Sequence, residues 1–177
     1  MNRNGLRSVC VAAVFTAVIA ALSQIAIPTP VVYVTLQTLG IAVAAFLQTV
    51  PASVAATLCY VALGAAGVPV FAGFAAGIGT ITGPTGGFIL AFPVFALLLS
   101  LTNYVNQHMT KLLLCAAALI ALYAAGVTQY AAVTGSTAKA AIIAFIFYFI
   151  KDVAVVFAAY FLCVRIRPTL SRFTHPK

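Results

Sequence analysis

Charge is what this sequence has least of. Ten of its 177 residues are charged, or 6%, against about a quarter of an ordinary soluble domain. Acid is scarcer still: Asp152 is the sole carboxylate side chain, beside nine Lys and Arg. Ten charges cannot cover the surface of a water-soluble fold, and a chain that is 64% hydrophobic is far too apolar for intrinsic disorder. What remains is an all-α integral membrane protein. At roughly 20 residues per crossing, the length allows about five to seven helices with short loops. The chain is therefore read as one polytopic membrane domain over 1–177.

Other absences narrow the function. Cys10, Cys59, Cys115 and Cys163 are far apart in apolar stretches, with no CxxC or Cys/His spacing. No metal site is expected, and all four read as small buried apolar residues. A single acid rules out paired-carboxylate catalysis within the chain. A Ser–His–Asp arrangement would need His108 or His175, and both fall on the side away from Asp152. No Walker A motif is present, so the chain does not power transport with ATP by itself. No enzyme activity and no cofactor are expected. The net charge of +8 is not a nucleic-acid footprint, because no basic run with interleaved aromatics exists. The charges gather at the termini, with Lys111, Lys139 and Lys151 singly between, as topology signals beside lipid headgroups do.

What the sequence does have is long apolar runs. Six spans are predicted: 6–27, 36–51, 52–66, 88–101, 112–125 and 148–166. The first resembles a signal peptide, with Arg3 and Arg7 before it and Ala21-Leu22-Ser23 as a possible cleavage site. Its apolar stretch is longer than the usual h-region, so it is read as a retained helix, stopped by Pro28 and Pro30. Segment 67–87 holds seven of the 12 glycines, with Pro69 and Pro84, and is too broken for one helix. Irregular backbone at membrane depth needs protein or a water-filled cavity around it, so a re-entrant loop capping a site is expected. A polar connector covers 102–111. Residues 126–136 read as a loop, followed by a short helix from Ala138. Placing the N-terminus inside puts Arg3, Arg7, Lys111, Arg165, Arg167, Arg172 and Lys177 on the cytoplasmic side and only Lys139 outside. That predicts N-in, C-in, with outer loops 28–35, 67–87 and 126–146.

Asp152 lies in an apolar run. An ionisable residue within a span needs a partner and is a functional candidate by default. Its neighbour Lys151 is about 100° away around a helix, yet its flexible stem can reach the carboxylate. Two readings stand: a structural ion pair with Lys151 snorkelling, or an acceptor for a ligand N–H. Tyr33, Thr35 and Gln37 alternate with apolar residues, so extended chain sets them on one side, as interfacial anchors or as a polar wall. The glycines of Gly83-Pro84-Thr85-Gly86-Gly87 allow close backbone approach to a ligand or tight helix packing. Ala13, Ala17 and Ala21 recur every four residues, a small-residue row open to helix contact and also easy to meet by chance in so Ala-rich a chain.

Together these residues resemble the BioY family of bacterial biotin-transport proteins, the substrate-binding S components of energy-coupling factor (ECF) transporters. The strongest match is Leu63-Gly64-Ala65-Ala66-Gly67-Val68-Pro69-Val70-Phe71-Ala72-Gly73, followed by Gly83-Pro84-Thr85-Gly86-Gly87-Phe88. Pro28-Thr29-Pro30 with Thr35-Leu36-Gln37-Thr38-Leu39-Gly40 resembles the family's first loop, which lies over the substrate. Asp152 stands where the family has its Asp. The resemblance implies biotin as transported substrate and a site from Asp152, Lys151, Tyr33, Thr35, Gln37, Phe71, Gly73, Gly86 and Gly87. Asp152 would accept from the ureido N–H groups. Phe71 and Tyr33 would cover the ring, and backbone N–H groups near Gly86 and Gly87, or Gln37, would serve the carboxylate. It further implies docking through Ala13, Ala17 and Ala21 on an ECF coupling subunit with its ATPases, or self-association, in the bacterial cytoplasmic membrane. The family's basic residue one turn after Asp is Val155 here, Lys151 stands at a usual Gly, and Phe74 replaces a common glycine. The alternatives are an S component for another vitamin and a membrane structural subunit with no small ligand.

Overall fold

The structure, a computed structural model, describes the backbone of residues 3–174 and the side chains of 8–166. The topology charges Arg3, Arg7, Arg167, Arg172 and Lys177, and the tail residue His175, therefore lie outside the described side chains. The fold is built of helices. In chain order they are α1 (Arg3–Gln24), α2 (Gln37–Leu47), α3 (Val50–Ala65), the short α4 (Ile78–Thr82), α5 (Gly86–Leu101), α6 (His108–Thr134) and α7 (Ala138–Thr174). Three stretches are long and apolar enough to cross a membrane: Gly86–Tyr104, His108–Thr134 and Ala138–Ile166. Ser8–Gln24, Gln37–Leu47 and Val50–Ala65 are shorter apolar helices.

Local chemistry sets several boundaries. α1 ends at Gln24 rather than at 27, because Ala26–Ile27 (β1) turns extended and pairs antiparallel with Val34–Thr35 (β2). Pro51 sits in the first turn of α3, where its missing N–H costs nothing. Gly135 ends α6 in the left-handed region (φ 68°), and the Thr137 hydroxyl accepts the Ala140 N–H to start α7. Asn103 in the polar connector donates to the Ala45 and Gln48 carbonyls and so holds the end of α2.

The expected loop 126–136, the short helix after it and the outer loop 126–146 are corrected here. α6 and α7 run on as continuous helices, and only 135–137 turns between them. Gly126 does not break α6; a Cβ there would lie 2.3 Å from the Phe88 ring, so the glycine admits α5 against α6. The cysteines are corrected as well. Cys163 is buried, Cys115 is half-buried, and Cys10 and Cys59 are exposed on the outside of the bundle. Apolar side chains cover much of that outside, among them Val14, Ile120, Ile143, Phe147 and Phe161. A bilayer accepts small apolar residues as readily as a core does, so an apolar setting does not imply burial within the protein.

The core packs α2 and α5 between the other helices, around Ile41, Tyr60, Phe71, Phe95, Leu99 and Leu122. Segment 67–87 is irregular, as its glycines and prolines predict, with one 3-10 turn (Ala72–Phe74) and α4. The segments 25–36 and 66–85 meet at one end of the bundle, where Tyr148 of α7 and Gln129 of α6 reach them.

A candidate small-molecule cavity

At this loop-bearing end lies a cavity of about 290 Å³. Its loop wall is Val31, Val32, Tyr33, Thr35, Phe71, Ala72, Ala75, Thr80, Pro84 and Thr85. Gln37 comes from α2, Phe88, Ile89 and Phe92 from α5, Tyr123 from α6, and Phe145, Tyr148, Lys151 and Asp152 from α7. The mix of aromatic walls and few polar groups is that of a small-molecule site, at the small end of the usual ~300–1,000 Å³.

The polar pole is Asp152, 5% exposed. Its Oδ1 accepts from the Thr38 hydroxyl at 2.7 Å and pairs with Lys151 Nζ at 2.6 Å; its Oδ2 accepts from the Tyr123 hydroxyl at 2.7 Å. An ionised carboxylate out of water costs several kcal/mol unless such donors replace its hydration. With about four lone-pair sites, it keeps one open on Oδ2. Lys151 Nζ also donates to the Thr35 carbonyl at 2.9 Å, so it ties α7 to β2 and still has a third N–H. Neighbours on one helix thus do pair, through the Lys stem.

Of the other expected site residues, Tyr33, Thr35, Gln37 and Phe71 all line the cavity. Gln37 does so from the first turn of α2 rather than from extended chain, and its Nε2 donates to the Tyr60 hydroxyl at 2.8 Å. Gly73, Gly86 and Gly87 are not in the lining. Gly73 has φ 66°, with its missing Cβ direction 3.0 Å from the Tyr33 ring. A Cβ on Gly86 would lie 1.6 Å from the Ile81 carbonyl oxygen, and one on Gly87 2.3 Å from that of Ala125. The Gly86 N–H already donates to the Gly83 carbonyl. These two glycines pack the start of α5, while Pro84, Thr85 and Phe88 of the same motif face the cavity. Ala13, Ala17 and Ala21 are all exposed on the outward face of α1.

Sequence reasoning missed Thr38, Tyr123 and Tyr148. Thr38 follows Gln37 in the first-loop motif, and Tyr123 is a hydroxyl in the middle of an apolar helix. A lone buried acid demands donors, and that demand was the signal pointing to mid-span hydroxyls. A larger hollow of about 530 Å³ between α6 and α7 has Thr128 and Tyr123 as its only polar lining side chains and holds no charged group. The first cavity is therefore the candidate site.

Fold and site together define a helical bundle with membrane-length helices and, at one end, an aromatic-walled cavity with a polar pole. The solved S-component for biotin from an ECF-type ABC transporter has this fold: TM-score 0.83, 22% identity, 95% of each chain covered. The BioY family model matches residues 1–172, and the chain belongs to that family. Among curated proteins it is similar to biotin transporter BioY2 of Lactococcus lactis subsp. cremoris, 44% identical over 100 residues, 56% of this chain and 55% of the relative. It is also similar to the probable biotin transporter BioY of Pyrococcus horikoshii, 36% identical over 107 residues, 60% of this chain and 66% of the relative. The chain thus spans about half to two thirds of the length of these relatives.

Proposed function

We propose that the protein takes up biotin, capturing it in the cavity beside Asp152 and passing it across the bacterial cytoplasmic membrane. The single observation that carries this reading is the Asp152–Lys151 pair at the polar pole of an otherwise aromatic and aliphatic cavity. Biotin has two ureido N–H donors and a ureido carbonyl at one end, an apolar ring and chain, and a carboxylate at the other. Asp152 has one lone pair left for a ureido N–H, a charge-assisted bond. The third N–H of Lys151 serves the ureido oxygen and so replaces the family's missing Lys. Phe71 and Tyr33 cover the ring, and Thr35 and Gln37 complete the polar wall. The carboxylate falls to the Thr85 and Tyr33 hydroxyls, which line the cavity and have no hydrogen bond among the described residues. Gly73, Gly86 and Gly87 shape these loops.

In this reading α1, α2, α3, α5, α6 and α7 are the six spans, N-in and C-in. Lys111 and Arg165 lie toward one end of the α6–α7 hairpin and Lys139 at the other, in keeping with positive charge inside. The cavity then opens outward. Transport follows through an ECF coupling subunit and ATPases that dock on Ala13, Ala17 and Ala21, or through self-association on that face. The test is purified protein in lipid nanodiscs, titrated with biotin and competed with thiamine and riboflavin. Biotin binding that neither competitor displaces is expected. Preference for another vitamin, or retention of none, overturns the reading. Undiminished affinity in Asp152→Ala removes the site assignment.

A further inference from the structure

Gln24 ends α1 and does not line the cavity, yet it holds the strip that does. Its Nε2 donates among the Val70 and Phe71 carbonyls, both at 3.1 Å, the Ser23 hydroxyl at 3.0 Å and the Ala20 carbonyl at 3.4 Å. Its Oε1 accepts the Phe74 N–H at 3.0 Å. One carboxamide thus shares its two N–H groups between the end of α1 and the Val70 and Phe71 carbonyls, and gives its acceptor to the Phe74 amide. The Val70 carbonyl also accepts from Ser23 and from Tyr60. Phe74 needs such a hold: it is a non-glycine residue at φ 60°, a backbone state that L side chains rarely adopt, and its own side chain is 70% exposed. Packing of its ring therefore does not supply the restraint, and among the described residues the one side-chain partner of its backbone is Gln24, whose Oε1 accepts its N–H. Between the two ends of this clamp sits Phe71, 1% exposed, against Tyr60 on one side and the cavity on the other.

We propose that Gln24 is a positioning residue of the ligand site: it clamps segment 70–74 so that Phe71 closes the cavity over the bound molecule. This rests on the biotin reading above for its ligand and on the geometry for its mechanism. A clamp on a closing strip sets how long the ligand stays more than how fast it arrives. Loss of the hydrogen bonds to the Phe71 carbonyl and from the Phe74 amide, while Val70 keeps Ser23 and Tyr60, should therefore appear in the dissociation rate.

The test uses the full chain in nanodiscs, with Gln24→Met, similar in length but without hydrogen bonds, and Gln24→Glu, which keeps the acceptor for Phe74. Biotin dissociation is expected to quicken about tenfold in Gln24→Met and at least as much in Gln24→Glu, whose second oxygen meets the Val70 and Phe71 carbonyls with no proton to give, with association little changed. In a Phe71→Ala background the Gln24→Met change should add almost nothing, because Gln24 acts through that ring's position. Without ligand, amide exchange at Phe74 should quicken in Gln24→Met while α5 amides keep their protection. Full additivity with Phe71→Ala, or unchanged exchange at Phe74, overturns the proposal. If Gln24→Met does not fold, Gln24→Glu carries the same comparison at the Val70 and Phe71 carbonyls. If the unaltered protein binds no biotin, the transport reading fails, and the clamp stands or falls on amide exchange alone.

Discussion

The cavity has two sides, and they are made differently. On the α6–α7 side the backbone is continuous helix, so its N–H and C=O groups are satisfied within the helix and its side chains are released for other work. That side supplies Asp152, Lys151, Tyr123 and Tyr148. On the loop side, 25–36 and 66–85, carbonyls lack helical partners and borrow side chains from elsewhere. Ser23, Gln24 and Tyr60 serve Val70; Gln129 serves Ile81 and Gly83; Tyr148 serves Val32; Lys151 serves Thr35. The helical side thus supplies the cavity's charged pole, and the loop side adds only neutral polar groups, Tyr33, Thr35, Thr80 and Thr85. The loop side sets its shape, and that shape depends on polar residues of other elements: Ser23, Gln24, Tyr60 and Gln129 outside the lining, Tyr148 and Lys151 within it. Substitution on the first should change ligand choice and affinity with the stability of the loops kept, and substitution on the second should change that stability and, through residence time, affinity with it.

The largest effect tests the helical side. Asp152→Ala should weaken biotin binding on the order of a hundredfold, the worth of a charge-assisted bond near the top of its range, about 3 kcal/mol. Isothermal titration reads it, and a change below about threefold would move the acceptor elsewhere. Next, on the loop side, Gln129→Leu strips donors from the Ile81 and Gly83 carbonyls, held at 2.7 and 2.9 Å. Partly buried carbonyls left unpaired cost about 1–3 kcal/mol in total, or roughly 2–4 °C of melting temperature per kcal/mol in a chain of this size. Thermal unfolding without ligand checks it. A variant that lost biotin affinity with its melting point unchanged would break the division between the two sides.

Lys151→Met touches both sides, because Nζ bridges Asp152 and the Thr35 carbonyl. Biotin affinity should fall about tenfold, with the melting temperature lower by a few degrees. A fall in only one of the two measurements would assign Lys151 to one side. The smallest effect is expected from Phe74→Gly. It relieves φ 60° at an exposed position while keeping the amide that Gln24 holds, and should raise stability by less than about 1 kcal/mol. Destabilisation there would show that the Phe74 side chain is held by something outside the described contacts.

Much of this was legible along the chain. The apolar runs marked the helices, the glycines and prolines of 67–87 marked an irregular segment, and the lone acid marked the polar pole of the cavity. The loops drawn through 126–146 were an error of local reading. Gly126 looks like a breaker in isolation, and only the Phe88 ring against it shows why a glycine stands inside a helix. Gly86 and Gly87 looked like a ligand cradle for the same reason. Their close neighbours are the Ile81 and Ala125 carbonyls, which lie on other elements.

The sequence by itself determined the class and the pivotal residue. Hydropathy and charge add up residue by residue, so ten charges in 177 place the chain in a bilayer, and one carboxylate among them has to be accounted for. The tertiary structure alone decided who accounts for it. Thr38 and Tyr123 lie 114 and 29 residues from Asp152, and Gln24 lies 50 from the Phe74 amide it holds. No periodicity carries such pairings. They arise because a buried polar group must find a partner wherever packing brings one, and packing is a property of the whole bundle.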